Sequence, residues 1–83
     1  MSDISADKNN QCQIVFDLSI SPIEYQQYYR GEIKWVITNS LDGRKVQFPA
    51  NLLTQHVTHE GIHGRFVLHY LASGKALKLD KLG

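Results

Sequence analysis

Apolar and polar residues alternate along Gln13–Ile20, with Ile14, Phe16, Leu18 and Ile20 on one side and Gln13, Asp17 and Ser19 on the other. A period of two predicts a strand with one buried face. The alternation stops at "SPIE". Ser21 reads as a helix N-cap, Pro22 as the first helical residue and Glu24 as the partner in a capping box. Ile20, just before the cap, is placed to pack on Tyr25 as a hydrophobic staple. The helix is predicted from Pro22 to about Arg30, stopping at Gly31, which tolerates the left-handed conformation of a helix end. So short a helix is unstable alone in water, and Ile23, Tyr25, Tyr28 and Tyr29 must anchor it.

Alternation returns in "EIKWVITN", with Ile33, Trp35 and Ile37 on one face and Lys34, Val36 and Thr38 on the other. Asp42-Gly43 predicts a hairpin turn. "KVQF" forms the return strand, with Val46 and Phe48 inward, and Pro49 ends it because it has no N–H for the ladder. "PANLLT" predicts one helical turn that tucks Leu52 and Leu53 into the core. "THEGIHG" is a loop turned by Gly61 and Gly64, for which uncommon backbone conformations are expected. "RFVLHY" is a strand with Phe66, Leu68 and Tyr70 inward and Arg65, Val67 and His69 outward. "LASGK" turns, and "ALKLDKL" closes the chain with Leu77 and Leu79 inward. The expected fold is α+β: one small, strongly bent antiparallel sheet of about five strands with a single short helix across one face, in the order β-α-β-β-β-β. Residues 1–11 lack periodicity and are expected to form a disordered tail; residues 12–83 make one domain.

Composition adds boundaries to this picture. An 83-residue chain has room for one domain with a thin core. With 42% hydrophobic and 20% charged residues it has a globular composition. A formal net charge of +1 gives no general pull toward nucleic acid. The single cysteine, Cys12, excludes an internal disulfide, which fits a reducing cytoplasm. The first residues, "MSDISADKNNQ", have neither the basic start nor the apolar stretch of a signal peptide. No apolar run approaches the roughly 20 residues of a membrane span.

The candidate chemistry is sparse. All four histidines fall in "HVTHEGIHGRFVLHY", residues 56–70. His56, His59 and His63 have spacings that on a helix would set two imidazoles on one face. Gly61 and Gly64 argue against a helix there, no cysteine pair supports the set, and Glu60 is the only acid nearby. No metal or other cofactor is therefore expected. Cys12 lies at the edge of the tail, away from any fixed base, and Glu24 is accounted for by capping, so no enzyme activity is expected. Tyr28, Tyr29, Arg30, Lys34, Trp35, Arg44, Lys45 and Arg65 could form a surface that combines cations with stacking rings. The ordinary reading places Trp35 and one tyrosine in the core.

The pattern "YYRGEIKWVI", then "DGRKVQFPANLL", then "VTHEGIHGRFVL" resembles the DUF2835 family, short gamma-proteobacterial proteins of no assigned function. The resemblance runs over roughly residues 13–82 and implies a bacterial cytoplasmic domain of about this length. It supplies no catalytic residues.

Two functions from different classes follow. The leading expectation is a non-enzymatic protein-binding or adaptor module, with Arg30, Lys34, Arg44, His59, His63 and Arg65 as candidate contact residues. The alternative is a module for RNA or single-stranded DNA that uses Arg30, Lys34, Arg44, Lys45 and Arg65. His63, Arg65 and Arg44 are further expected to share a small anion-attracting patch.

Overall fold

The computed structural model describes residues 11–82. Strand β1 (Gln11–Ile20) leads into helix α1 (Pro22–Tyr29), then β2 (Trp35–Asn39), β3 (Lys45–Pro49), a 3-10 helix (Ala50–Gln55), β4 (Ile62–Leu71) and β5 (Ala76–Leu82). The expected tail lies outside the described residues apart from Gln11, which opens β1 opposite Leu71.

The α+β class and the element order agree with the sequence, but the strands form two sheets where a single bent one was expected. One sheet has three strands in the order β1-β4-β5, and the other is the β2-β3 hairpin. All pairings are antiparallel. The physical cause is the connection: the residues between Ile20 and Trp35 are taken up by α1 and its exit loop. They deliver the hairpin to the far side of the core, facing the three-stranded sheet. The Phe16 and Phe48 rings stack between the two sheets with centroids 5.5 Å apart. Just past the end of β2, the Leu41 N–H donates to the Val15 carbonyl at 3.0 Å and ties the hairpin turn to β1.

The start of α1 is built as its sequence requires. The Ser21 side chain accepts from the Glu24 N–H, and the Glu24 carboxylate accepts from the Ser21 N–H. Ile20 and Tyr25 are both buried in the core. Ile23 remains 81% exposed, so the helix is anchored mainly through Tyr25 and the partly buried Tyr28.

The core takes Ile14, Phe16, Leu18 and Ile20 from β1, Phe66 and Leu68 from β4, and Leu79 from β5. Val36, Val46 and Phe48 cover it from the hairpin, and Leu53 from the 3-10 helix. Two inward assignments are corrected. Trp35 is 51% exposed and its neighbour Val36 is the buried residue. Val36 lies directly opposite Phe48, and directly opposed side chains project to the same face. Once Phe48 points inward, Trp35 and Ile37 must point out. Leu77 is 38% exposed because the β4–β5 ladder slips between His69 and Tyr70, pairing His69 with Lys78 and Tyr70 with Ala76. Leu77 is the extra residue of that bulge. Val67 points away from the core as expected, yet it is 7% exposed, screened on the central strand between Val15 and Asp80.

Candidate functional site

The reversed face of β2 creates a concave surface. Trp35 and Pro49 are opposed across the hairpin. With Tyr25, Tyr28 and Tyr29 of α1, and with Ile33 and Lys34 of the loop before β2, they line a cleft of about 510 Å³. Asn51 and Thr54 of the 3-10 helix complete it. The volume falls within the roughly 300–1,000 Å³ of typical ligand sites. Local chemistry explains the walls. Gly31, at φ +78, turns the chain out of α1. The Glu32 and Ile33 N–H groups both donate to the Gln27 carbonyl, at 3.0 and 3.1 Å, and pin that exit. The Ala50 N–H donates to the Lys34 carbonyl at 2.9 Å, joining the loop to the start of the 3-10 helix. The cleft is therefore a braced framework that carries exposed rings, with Trp35 half exposed and Tyr29 76% exposed.

Of the six candidate contact residues, Lys34 lines this cleft and Arg30 stands at its helical end, as the C-cap of α1. Arg30 donates to the Gln26 side chain at 3.0 Å and lies 4.0 Å from Glu32. The other four are elsewhere. Arg44 sits in the hairpin turn, with its Nε 3.0 Å from Asp42 Oδ2. Arg65 projects from the outer face of β4, with its Nε 2.9 Å from Asp17 Oδ1 on β1. His63 is on that same outer face, and His59 is exposed in the turn before it.

The patch expected from His63, Arg65 and Arg44 does not form. Arg44 borders a cavity beside Tyr70, which lies on the inner side of β4. Arg65 is on the opposite side of the strand, five positions away, or about 17 Å along it. Each arginine is matched with its own carboxylate. Hydrogen bonding from Arg65 holds the Asp17 carboxyl below its ordinary range. Hydrogen bonds from Ser40, and then from Arg44, do the same for Asp42.

The histidines are dispersed by the fold. His56 donates from Nε2 to the Leu79 carbonyl at 2.7 Å and sets its ring edge-on to Phe66, centroids 5.2 Å apart. His63 donates from Nε2 to the Glu60 carbonyl at 2.7 Å, which leaves Nδ1 to accept from the Ser19 hydroxyl at 3.2 Å. His69 bonds Asp80 through Nε2 at 3.0 Å and meets the Gln13 amide through Nδ1 at 3.4 Å. Among the described residues no three His, Cys, Asp or Glu side chains converge as metal ligands would.

The "THEG" segment is a self-braced turn. Thr58 and Gly61 exchange two backbone hydrogen bonds of 2.9 Å. The Thr58 hydroxyl donates to the Gly61 carbonyl and accepts from the Glu60 N–H. Thr58 and Gly61 thus hold the turn in shape.

Of the residues that line the cleft, the sequence offered Tyr28, Tyr29, Lys34 and Trp35 as a surface only against an ordinary reading that placed Trp35 in the core, and it did not point to Pro49, Asn51 or Thr54. Counting outward in pairs from Asp42-Gly43 would set Trp35 against Ala50; the connection Ser40–Arg44 has an odd number of residues, and this shifts the register by one and brings Pro49 opposite Trp35. The position of the 3-10 helix carried no signal in the sequence.

Among the described residues no helix is long and apolar enough to cross a membrane. Neither a curated protein nor a solved structure matches the chain. The DUF2835 model, described as a protein of unknown function, matches residues 12–82, nearly the whole sequence, and the chain therefore belongs to the DUF2835 family.

Proposed function

We propose that this protein is a non-catalytic binding module of the bacterial cytoplasm whose aromatic cleft takes an extended, proline-containing segment of a partner protein. One observation carries the reading: Trp35 is turned away from the core and stands half exposed in a cleft shared with Tyr28, Tyr29 and Pro49. Trp and Tyr are enriched at interface hot spots, where large rigid rings bury much area at low entropic cost. Aromatic-lined grooves suit polyproline segments, which lose little conformational freedom on docking.

A second reading has one observation in its favour. Lys34 shares the cleft with the rings, and a cation beside stacking aromatics suits a single nucleic-acid strand. Against it, Lys34 is the one cation among the residues that line the cleft, and Arg44 and Arg65 lie elsewhere, which gives too weak a field for a phosphate backbone.

The chain's only tryptophan is the reporter. Titration with a proline-rich decapeptide, and in parallel with oligo-dT, should give a saturable blue shift of Trp35 emission with the peptide alone. The shift should persist in moderate salt. Tyr29→Ser should weaken it, and capture of partners from nuclease-treated lysate should fall in Trp35→Ser. A shift produced only by the oligonucleotide and lost with salt favours the nucleic-acid reading. Equal capture by Trp35→Ser removes the cleft from consideration.

A further inference from the structure

A second cavity, of about 220 Å³, opens between the two sheets at the end remote from α1. Its origin is a mismatch of lengths. Strands β1 and β4 have ten residues each, whereas β2 and β3 have five each. The larger sheet therefore overhangs the hairpin turn, which is tied to β1 at Val15. Beyond that tie the buried core residues Ile14, Val46 and Leu68 form the apolar floor of the cavity. Arg44, Lys45 and Tyr70 also border the cavity and give it a polar rim.

Arg44 is held in place by its turn. The Ser40 N–H donates to the Arg44 carbonyl at 2.7 Å, and the Arg44 N–H donates to the buried Ser40 hydroxyl at 2.8 Å. The Ser40 hydroxyl in turn donates to Asp42, which accepts the Nε edge of the guanidinium through both oxygens, at 3.2 and 3.0 Å. The guanidinium also interacts with the Tyr70 hydroxyl, so Arg44 and Tyr70 stand together on the rim. Arg44 and Lys45 both border the cavity, whereas Asp42, the carboxylate paired with Arg44, is not among the residues that line it. A preorganised guanidinium above an apolar floor is complementary to a carboxylate with a short hydrophobic tail. The volume lies below the roughly 300 Å³ at which drug-sized sites begin, so the tail must be small.

We propose that this cavity binds a carboxylate bearing a small branched aliphatic group, with the anion at Arg44 and Tyr70 and the tail on the floor formed by Ile14, Val46 and Leu68. The shared chemistry could be offered by a free short-chain acid or by the C-terminal residue of a peptide. The site is separate from the aromatic cleft, and its test does not depend on Trp35.

The experiment is an amide chemical-shift titration of the full chain with 4-methylpentanoate and with N-acetyl-leucine. The matching neutral amides, 4-methylpentanamide and N-acetyl-leucinamide, serve as controls. Saturable shifts at Val46 and Leu68 with at least one acid, and much weaker ones with its amide, are expected. Preference for 4-methylpentanoate identifies a free acid, and preference for N-acetyl-leucine a chain terminus. Arg44→Gln should weaken binding by about tenfold or more, the scale on which a charged hydrogen-bonded contact acts. Lys45→Gln, which leaves the turn intact, should weaken it less. No saturable shift with either acid, equal shifts with the amides, or undiminished binding by a folded Arg44→Gln would each overturn the proposal.

Discussion

Gly61 lies against the carbonyl of Ile20, so close that a Cβ at this position would stand 2.1 Å from that oxygen. The contact closes the end of the β1–β4 ladder, where Ile20 pairs with Ile62. Gly61 also has φ +94. Gly61→Ala therefore combines an unfavourable backbone conformation with a clash against main chain that cannot swing aside. Gly64 has φ +136, but a Cβ there would meet only the flexible end of Lys81, at 3.0 Å. Urea unfolding should show Gly64→Ala costing about 1 kcal/mol and Gly61→Ala at least about 3 kcal/mol. The reverse order would mean that the backbone at Ile20 yields more easily than this packing allows.

Asp17 and Asp42 should contribute to the acid side of stability, Asp17 the less because it relies on a pair with Arg65 that is exposed to solvent. Both are held below the ordinary carboxylate value, Asp17 chiefly by hydrogen bonding from Arg65, and Asp42 chiefly by Ser40 with Arg44 next. A folded-state value below the unfolded one stabilises the protein above the unfolded value. That stabilisation is lost as pH falls through the folded value. The melting temperature should thus decline as pH drops below about 4, the ordinary aspartate value. Asp42→Asn should flatten this decline while lowering stability at neutral pH. An unchanged slope in Asp42→Asn with Asp17→Asn would assign the acid limb to other carboxylates.

Arg65 and Asp17 form an exposed cross-strand pair, side chains more than half accessible. Such pairs contribute little because solvent screens them. Arg65→Ala should change stability by no more than about 0.5 kcal/mol. Since Arg65 is on the outer face of β4 and the cleft is built from α1, the hairpin and the 3-10 helix, partner capture should also be unaffected. Loss of capture would move the contact surface to the outer sheet face.

His56 bridges the end of the 3-10 helix to β5 through the Leu79 carbonyl. Removing a partly buried donor leaves that carbonyl without its partner, so His56→Ala should cost about 1–3 kcal/mol in thermal or chemical unfolding. His59→Ala, at an exposed turn position, should be neutral within about 0.5 kcal/mol. Equal effects would show that the bridge is not a determinant of stability.

Zinc should leave the melting temperature unchanged. His56 is directed at β5, while His63 and His69 sit six positions apart on β4, about 20 Å along the strand. Binding to the native state alone would stabilise by about 2.7 kcal/mol at a hundredfold excess over the dissociation constant. A zinc-dependent rise that disappears in His63→Ala would show that the loop rearranges to gather ligands.

Local chemistry was legible in the chain itself. Ser21, Pro22 and Glu24 fix the start of α1 through contacts that span three residues, so no distant part of the fold is needed to read them. The strict alternation of Ile14, Phe16, Leu18 and Ile20 fixes the inner face of β1, and Gly61 and Gly64 mark the backbone turns before and within β4. Pairing decided what alternation could not. Both faces of β2 carry apolar residues, so only its register with β3, Val36 against Phe48, turns Trp35 outward and makes the cleft. The bulge that expels Leu77 likewise depends on the partner strand. Charges followed the same division. Arg44 finds Asp42 two residues away, a pairing within reach of sequence, whereas Arg65 finds Asp17 across 48 positions. A long-range partner of that kind is set by β-ladder register, and register is the product of burying both sheets' inner faces against each other.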